Sequence, residues 1–177
     1  MNKDIKERLV EAAIHYDCDS MRQLLAEGAD FNAVDPAEGT TPFSEAVYFG
    51  ASRDCITDML RLGAKPDVGP SIGGTPLIYA AWGLDFTLIE MLLDAGADPN
   101  TPGYIDEGPT TPLDAALAEH YCRDTEPEHK LVEAVEALLR SRGAKCYYEL
   151  KAVSIKSSEP AVGADSSAVA VPVASRR

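Results

Sequence analysis

Apolar residues recur along this chain at the spacing of helices that hide one face. Leu88, Ile89, Leu92 and Leu93 form one such stripe. Leu131, Val132, Val135, Leu138 and Leu139 show the same i, i+1, i+4, i+7, i+8 pattern. A third stripe holds Met21, Leu24 and Leu25, with Asp17 placed as its N-cap. Shorter stretches rich in small residues precede such stripes, as in Thr75-Pro76-Leu77-Ile78-Tyr79-Ala80-Ala81. Thr is a good N-cap, and Pro at the next position is pre-set for a first turn whose N–H would be unpaired anyway. Gly after each long stripe predicts its C-terminal cap.

This punctuation is periodic. Thr41-Pro42, Thr75-Pro76 and Thr111-Pro112 recur at intervals of 34 and 36 residues. Gly28-Ala29, Gly63-Ala64, Gly96-Ala97 and Gly143-Ala144 recur at 35, 33 and 47. Each Thr-Pro opens a unit of two helices and each Gly-Ala closes one. A lone helix pair of this kind cannot bury its apolar face, so the units must stack side by side.

At these residues the sequence resembles the ankyrin repeat family. Its signature T-P-L-H-x-A-A is matched by Thr75 to Ala81, and its closing G-A-D-x-N by Gly96-Ala97-Asp98-Pro99-Asn100 and Gly28-Ala29-Asp30-Phe31-Asn32. The resemblance covers residues 3–146 and implies an all-α solenoid of four stacked helix-turn-helix units with β-turn fingers. Ser44, Ile78 and Asp114 stand where the signature has His, which implies loss of the hydrogen bonds that His supplies between units. Unit one lacks Thr-Pro and opens with Asp4, Ile5, Lys6, Glu7, Arg8 and Leu9, the polar outer face that a capping repeat requires.

Aligning the paired Leu positions leaves insertions, which in such arrays map to loops and often to the binding face. Unit four gains a segment from Glu119 to His129, with Pro127 starting the second helix. The finger from Asp98 to Gly108 exceeds the family length, whereas that from Lys65 to Gly74 keeps it. Lys145 to Leu150 is expected to close the far end as a short strand or helix extension. From Ser154 the composition shifts to Ser, Ala, Val, Pro and Gly. We therefore expect a repeat domain at 1–150 and a flexible, disordered tail at 151–177.

The formal net charge is −13. The tail carries Lys151, Lys156, Arg176 and Arg177 against only Glu159 and Asp165, so the acidity belongs to the stack. A pI near 4.5 makes nucleic acid a poor partner, because phosphate binding needs clustered Lys and Arg. No apolar run approaches the roughly 20 residues of a membrane-spanning helix. The opening Met1-Asn2-Lys3-Asp4 leads into a charged stretch without a signal-peptide pattern. Cys18, Cys55, Cys122 and Cys146 form no C-x-x-C and no zinc-finger spacing. A cytoplasmic protein with reduced thiols and no membrane contact is the expectation.

Three constellations combine residue types that could carry chemistry. His15, Asp17 and Cys18 fall at the turn between the helices of unit one, where Asp17 is needed as a cap. His120, Tyr121, Cys122, Asp124 and His129 cluster in the unit-four insertion, but His120 and Cys122 at i, i+2 would point to different sides of a helix. Gly69, Gly73 and Gly74 lack a following G-K-[ST] and match a finger turn. Cys55 reads as a buried small hydrophobe. No catalysis, metal or cofactor is expected.

The interaction face carries the expectation instead. In the resembled family the first helices line a concave groove beside the fingers. The position after A-A faces that groove, and here it holds Ile14, Tyr48, Trp82 and Ala118; three residues earlier stand Glu45, Tyr79 and Ala115. Aromatic clusters are common interface anchors. The expected partner-binding residues are Tyr48, Tyr79 and Trp82 in the groove and Tyr104, Ile105, Asp106 and Glu107 on the long finger. The partner expected is another protein with a basic surface, bound by a monomer. The alternative is an inhibitor or immunity-type protein that neutralises a basic enzyme or toxin. A metal-binding accessory using the unit-four insertion is the third class.

Overall fold

A computed structural model describes residues 3–37, 39–68, 73–105, 108–118 and 126–158. Four helix pairs follow one another: α1 (Lys3–Ile14) with α2 (Cys18–Ala26), α3 (Pro42–Tyr48) with α4 (Arg53–Arg61), α5 (Pro76–Trp82) with α6 (Phe86–Asp94), and α7 (Pro112–Ala118) with α8 (Glu126–Ser141). A hairpin of β1 (Gly103–Ile105) and β2 (Gly108–Thr110) lies between α6 and α7, and α9 (Tyr147–Ser158) follows α8. Helix α1 packs on α3, α3 on α5 and α5 on α7, so the first helices form one layer of the solenoid.

The helix starts follow from the caps. Thr41 Oγ1 accepts the Ser44 N–H at 3.0 Å while Ser44 Oγ accepts the Thr41 N–H at 2.9 Å, a reciprocal pair. Thr75 and Thr111 accept the N–H groups of Ile78 and Asp114. Asp17 caps α2 through the Ser20 N–H at 3.0 Å. These threonines are buried, so each cap also satisfies a donor in a place that water does not reach.

The stops are equally local. Gly28, Gly63, Gly96 and Gly143 all have positive φ, and the alanine after each donates to the carbonyl five residues back. A Cβ there would meet nothing within 4 Å, so glycine is chosen for its backbone angle alone. Gly103 is glycine for the opposite reason. A Cβ on it would lie 2.5 Å from the Gly73 carbonyl oxygen and 2.9 Å from Ile78 Cδ1.

The core is one continuous cluster threading every unit. Leu9, Met21, Phe31, Phe43, Ile56, Met59, Leu77, Ile89, Leu92, Leu113, Val135 and Leu139 are all but fully buried. Each large side chain contributes roughly 1.5–3 kcal/mol by leaving water. Ala13, Ala46, Ala80, Ala81 and Ala116 separate the first helices and allow their close approach.

Three expectations change. Lys6 does not belong to the polar outer face of unit one: it is buried, whereas Asp4, Glu7, Arg8 and Glu11 are exposed. Asp114 restores a bond between successive elements where loss was expected. Its Oδ2 accepts the Tyr147 N–H at 2.9 Å and so ties α9 to α7. Ile78 makes packing its link, lying beneath Gly103 of the following finger. Finally, α9 runs to Ser158, so the boundary expected at 150 falls inside a helix. Residues 159–177 of the expected tail lie outside the described residues.

Candidate functional site

The last residues of the first helices, Ile14, Tyr48, Trp82 and Ala118, are all exposed. Three of them are large and apolar or aromatic, with 37%, 51% and 41% of the surface of Ile14, Tyr48 and Trp82 accessible. The Tyr48 ring meets Tyr79 of the next unit at 4.9 Å and Phe49 of its own helix end at 5.2 Å, edge-on. Both distances fall in the range where aromatic pairs attract beyond their buried area. Tyr79 is held in place, since its hydroxyl oxygen accepts the Gly74 N–H at 3.0 Å.

This aromatic group forms one wall of a cleft of about 520 Å³ between α1, the first finger and α3. Val10 and Ile14 add apolar surface, and Glu7, Glu11, Asp35 and Glu45 supply carboxylates. Lys6 stands in the wall with 7% of its side chain accessible. Its ammonium donates to Asp35 Oδ2 at 3.2 Å and Thr40 Oγ1 at 3.3 Å, and it pairs with Glu45. A Lys so deeply buried requires paired acceptors. The cluster therefore fixes the first finger, through Asp35 and Thr40, against the start of α3.

The residues expected to bind a partner divide. Tyr48 and Tyr79 are brought together in the cleft. Trp82 is exposed one turn beyond Tyr79 but does not line that cleft. Tyr104 is exposed on β1, where its N–H and carbonyl pair with Gly73 at 2.8 and 3.0 Å. Ile105 pairs in register with Gly108 across the hairpin. Asp106 and Glu107 lie outside the described residues.

Lys6, Glu7, Glu11 and Phe49 line the cleft without having been expected there from the sequence. A signal for Lys6 exists, since it shares a helical face with Leu9, Val10 and Ala13, three, four and seven residues on. Phe49 follows Tyr48 at a helix end, where no apolar stripe explains it.

Two members of the first constellation have structural partners. Asp17 is spent on its cap, and the Cys18 thiol lies 3.7 Å from Asp58 Oδ2. Cys55 donates to the Ala13 carbonyl, and burial pushes its thiol up to about 11, so it is neutral at physiological pH. Among the described residues no group of three or more His, Cys, Asp or Glu side chains is placed to hold a metal. His120, Tyr121, Cys122 and Asp124, with Gly69, lie outside the described residues. Among the described residues, no helix is long and apolar enough to cross a membrane.

Comparison with known proteins agrees with the architecture. A family model of ankyrin repeats, three copies, matches residues 9–102, more than half of the chain. An ankyrin repeat-containing protein of Treponema pallidum (strain Nichols) is 35% identical over 77 residues, 44% of this chain and 26% of that protein. The aligned region thus spans about a quarter of that relative. With the stacked helix pairs, the threonine caps and the glycine stops already in place, the matched repeats show that this chain belongs to the ankyrin repeat family.

Proposed function

We propose that this protein is a protein–protein interaction module that grips a partner with a basic surface through its concave groove and its long finger. Repeats of this family generally mediate protein–protein contacts, and a fold alone names no partner. The observation that carries the reading is the contiguous aromatic surface of exposed Tyr48 and Phe49 with half-buried Tyr79, flanked by carboxylates. Trp82 extends the groove surface, and Tyr104, Ile105, Asp106 and Glu107 supply the finger. Desolvated aromatics usually carry most of the affinity, while rim carboxylates mostly raise the association rate.

Affinity capture from the native cell with the full chain, followed by mass spectrometry, tests this. The expected result is a stoichiometric basic protein lost when Tyr48→Ala and Trp82→Ala are combined in the bait. Once the partner is in hand, Trp82→Ala is expected to cost on the order of 2 kcal/mol in binding. Undiminished capture by folded double-variant bait would sink the groove reading.

A further inference from the structure

The cleft at the first unit boundary has a chemistry of its own within the groove. We infer that it is a subsite for one cationic side chain of the partner, an arginine beside an apolar residue, seated between the aromatic wall and the α1 carboxylates. This subsite rests on the groove reading above.

The charge the cleft offers is negative. An ammonium has three N–H donors, and Lys6 has three acceptors around it in Asp35, Thr40 and Glu45. It is buried and engaged, so it does not offer an anion site. Its two carboxylate partners outnumber it, which leaves that wall with a net negative charge. Glu7 and Glu11 are exposed on the α1 side and bring two further carboxylates to the lining. Four carboxylates, Glu7, Glu11, Asp35 and Glu45, thus line the cleft against Lys6 and His15, and a concave surface in which one sign of charge prevails focuses its field on an incoming group of the opposite sign.

The shape of the cleft selects among cations. Tyr48, Phe49 and Tyr79 offer ring surface beside those carboxylates, and aromatic rings attract cations through their quadrupoles. Arginine suits the combination better than lysine. Its planar guanidinium stacks on rings and is weakly hydrated, and it meets carboxylates with a fork of donors. The cleft, at about 520 Å³, holds such a side chain together with a neighbouring apolar group on Val10 and Ile14.

Selecting phage-displayed random heptapeptides on the immobilised full-length protein tests the subsite, with affinities then read by fluorescence polarisation. The expected consensus has arginine at one fixed position next to an apolar residue. Replacing that arginine by glutamine should weaken the peptide about ten-fold, and by lysine less. Glu7→Gln combined with Glu11→Gln should weaken it about ten-fold too, in a variant whose helical circular dichroism shows that it is folded. A consensus without a cation, no enriched sequence at all, or full binding by the Glu7/Glu11 variant would each overturn the inference. Two of these failures separate from one another. If Tyr48→Ala abolishes binding while the Glu7/Glu11 variant retains it, the groove stands and the cation subsite falls. If neither changes binding, both fall.

Discussion

The junction between units one and two and that between units two and three are built on the same backbone plan with different side chains. At the first, Asn32 works in both directions. Its Nδ2 donates to the Gly63 carbonyl at 3.0 Å and its Oδ1 accepts the Lys65 N–H at 2.8 Å. Asn100 repeats this toward Gly143 and Lys145 at the third junction. At the second junction the position is Asp67, which accepts the Asp98 N–H through both oxygens, at 2.8 and 3.0 Å, and has nothing to donate to a carbonyl. The ion pairs differ in the same way. Lys6 is buried among Asp35, Thr40 and Glu45, whereas Arg53 reaches Asp85 at 2.7 Å with 54% of its side chain exposed. One junction is clamped by two-way bonds and a buried charge cluster; the other by bonds in one direction and an exposed ion pair. In a solenoid, where each unit touches only its neighbours, this makes the second junction the weaker interface.

The largest test removes the buried cation. Lys6→Ala strands two partly buried carboxylates together and is expected to cost about 3 kcal/mol in urea unfolding. Lys6→Met with Glu45→Gln should recover part of that loss, because the repulsion goes while the packing volume stays. An effect of only a few tenths of a kcal/mol in Lys6→Ala would show that water already neutralises this site.

Next comes the two-way clamp. Asn32→Ala should destabilise by about 1–2 kcal/mol in the same urea titration, having left the Gly63 carbonyl and Lys65 N–H without that partner. Asp67→Asn moves the other way and should stabilise by about 0.5–1 kcal/mol near neutral pH, by restoring a donor and removing a charge beside Asp98. The same variant carries a pH signature. Burial, reinforced by the Asp98 charge and opposed by the Asp98 N–H bond, lifts the Asp67 carboxyl above its ordinary 3.8. The folded protein then binds this proton more tightly than the unfolded chain. Stability from Asp67 is present below the unfolded value and is lost as pH rises through the raised folded one. The advantage of Asp67→Asn over wild type should therefore be small near pH 3.8 and grow to a plateau at higher pH; thermal melts across that range would reveal a flat difference if the burial argument is wrong.

The smallest effect is expected at the exposed pair. Arg53→Ala should change stability by about 0.5 kcal/mol or less, because solvent and salt screen the contact and Asp85 keeps its capping bond to the Leu88 N–H. A double-mutant cycle with Asp85→Asn would measure that coupling. A value above about 1 kcal/mol would make the second junction as firmly tied as the first.

Much of the repeat plan was legible because its signals are local. A Thr-Pro cap, a glycine with positive φ and a helical stripe each act over a few residues, so Thr41, Thr75, Thr111, Gly28, Gly63, Gly96 and Gly143 announce the units. Asp17 as a cap and Cys55 as a core residue followed from the same logic. Of the groove, Tyr48 and Tyr79 were legible as first-helix positions that the resemblance turns toward it, whereas their ring contact joins non-equivalent positions of neighbouring units and was not.

The sequence by itself determined the fold class, the unit boundaries and the acid excess of the stack, because these depend on patterns that survive any detail of packing. Tertiary structure alone decided which side chains meet across units. Whether Lys6 points to water or into the first finger depends on Asp35, Thr40 and Glu45, some thirty to forty residues away. That Gly103 must be glycine is set by the close approach of Gly73 and Ile78, a contact with no local cause. Asp114 exchanges the bond of a lost histidine for the Tyr147 N–H because the first residue of α9 lies beside the start of α7. Each of these pairings couples residues far apart in the chain, so its energy belongs to the assembled stack.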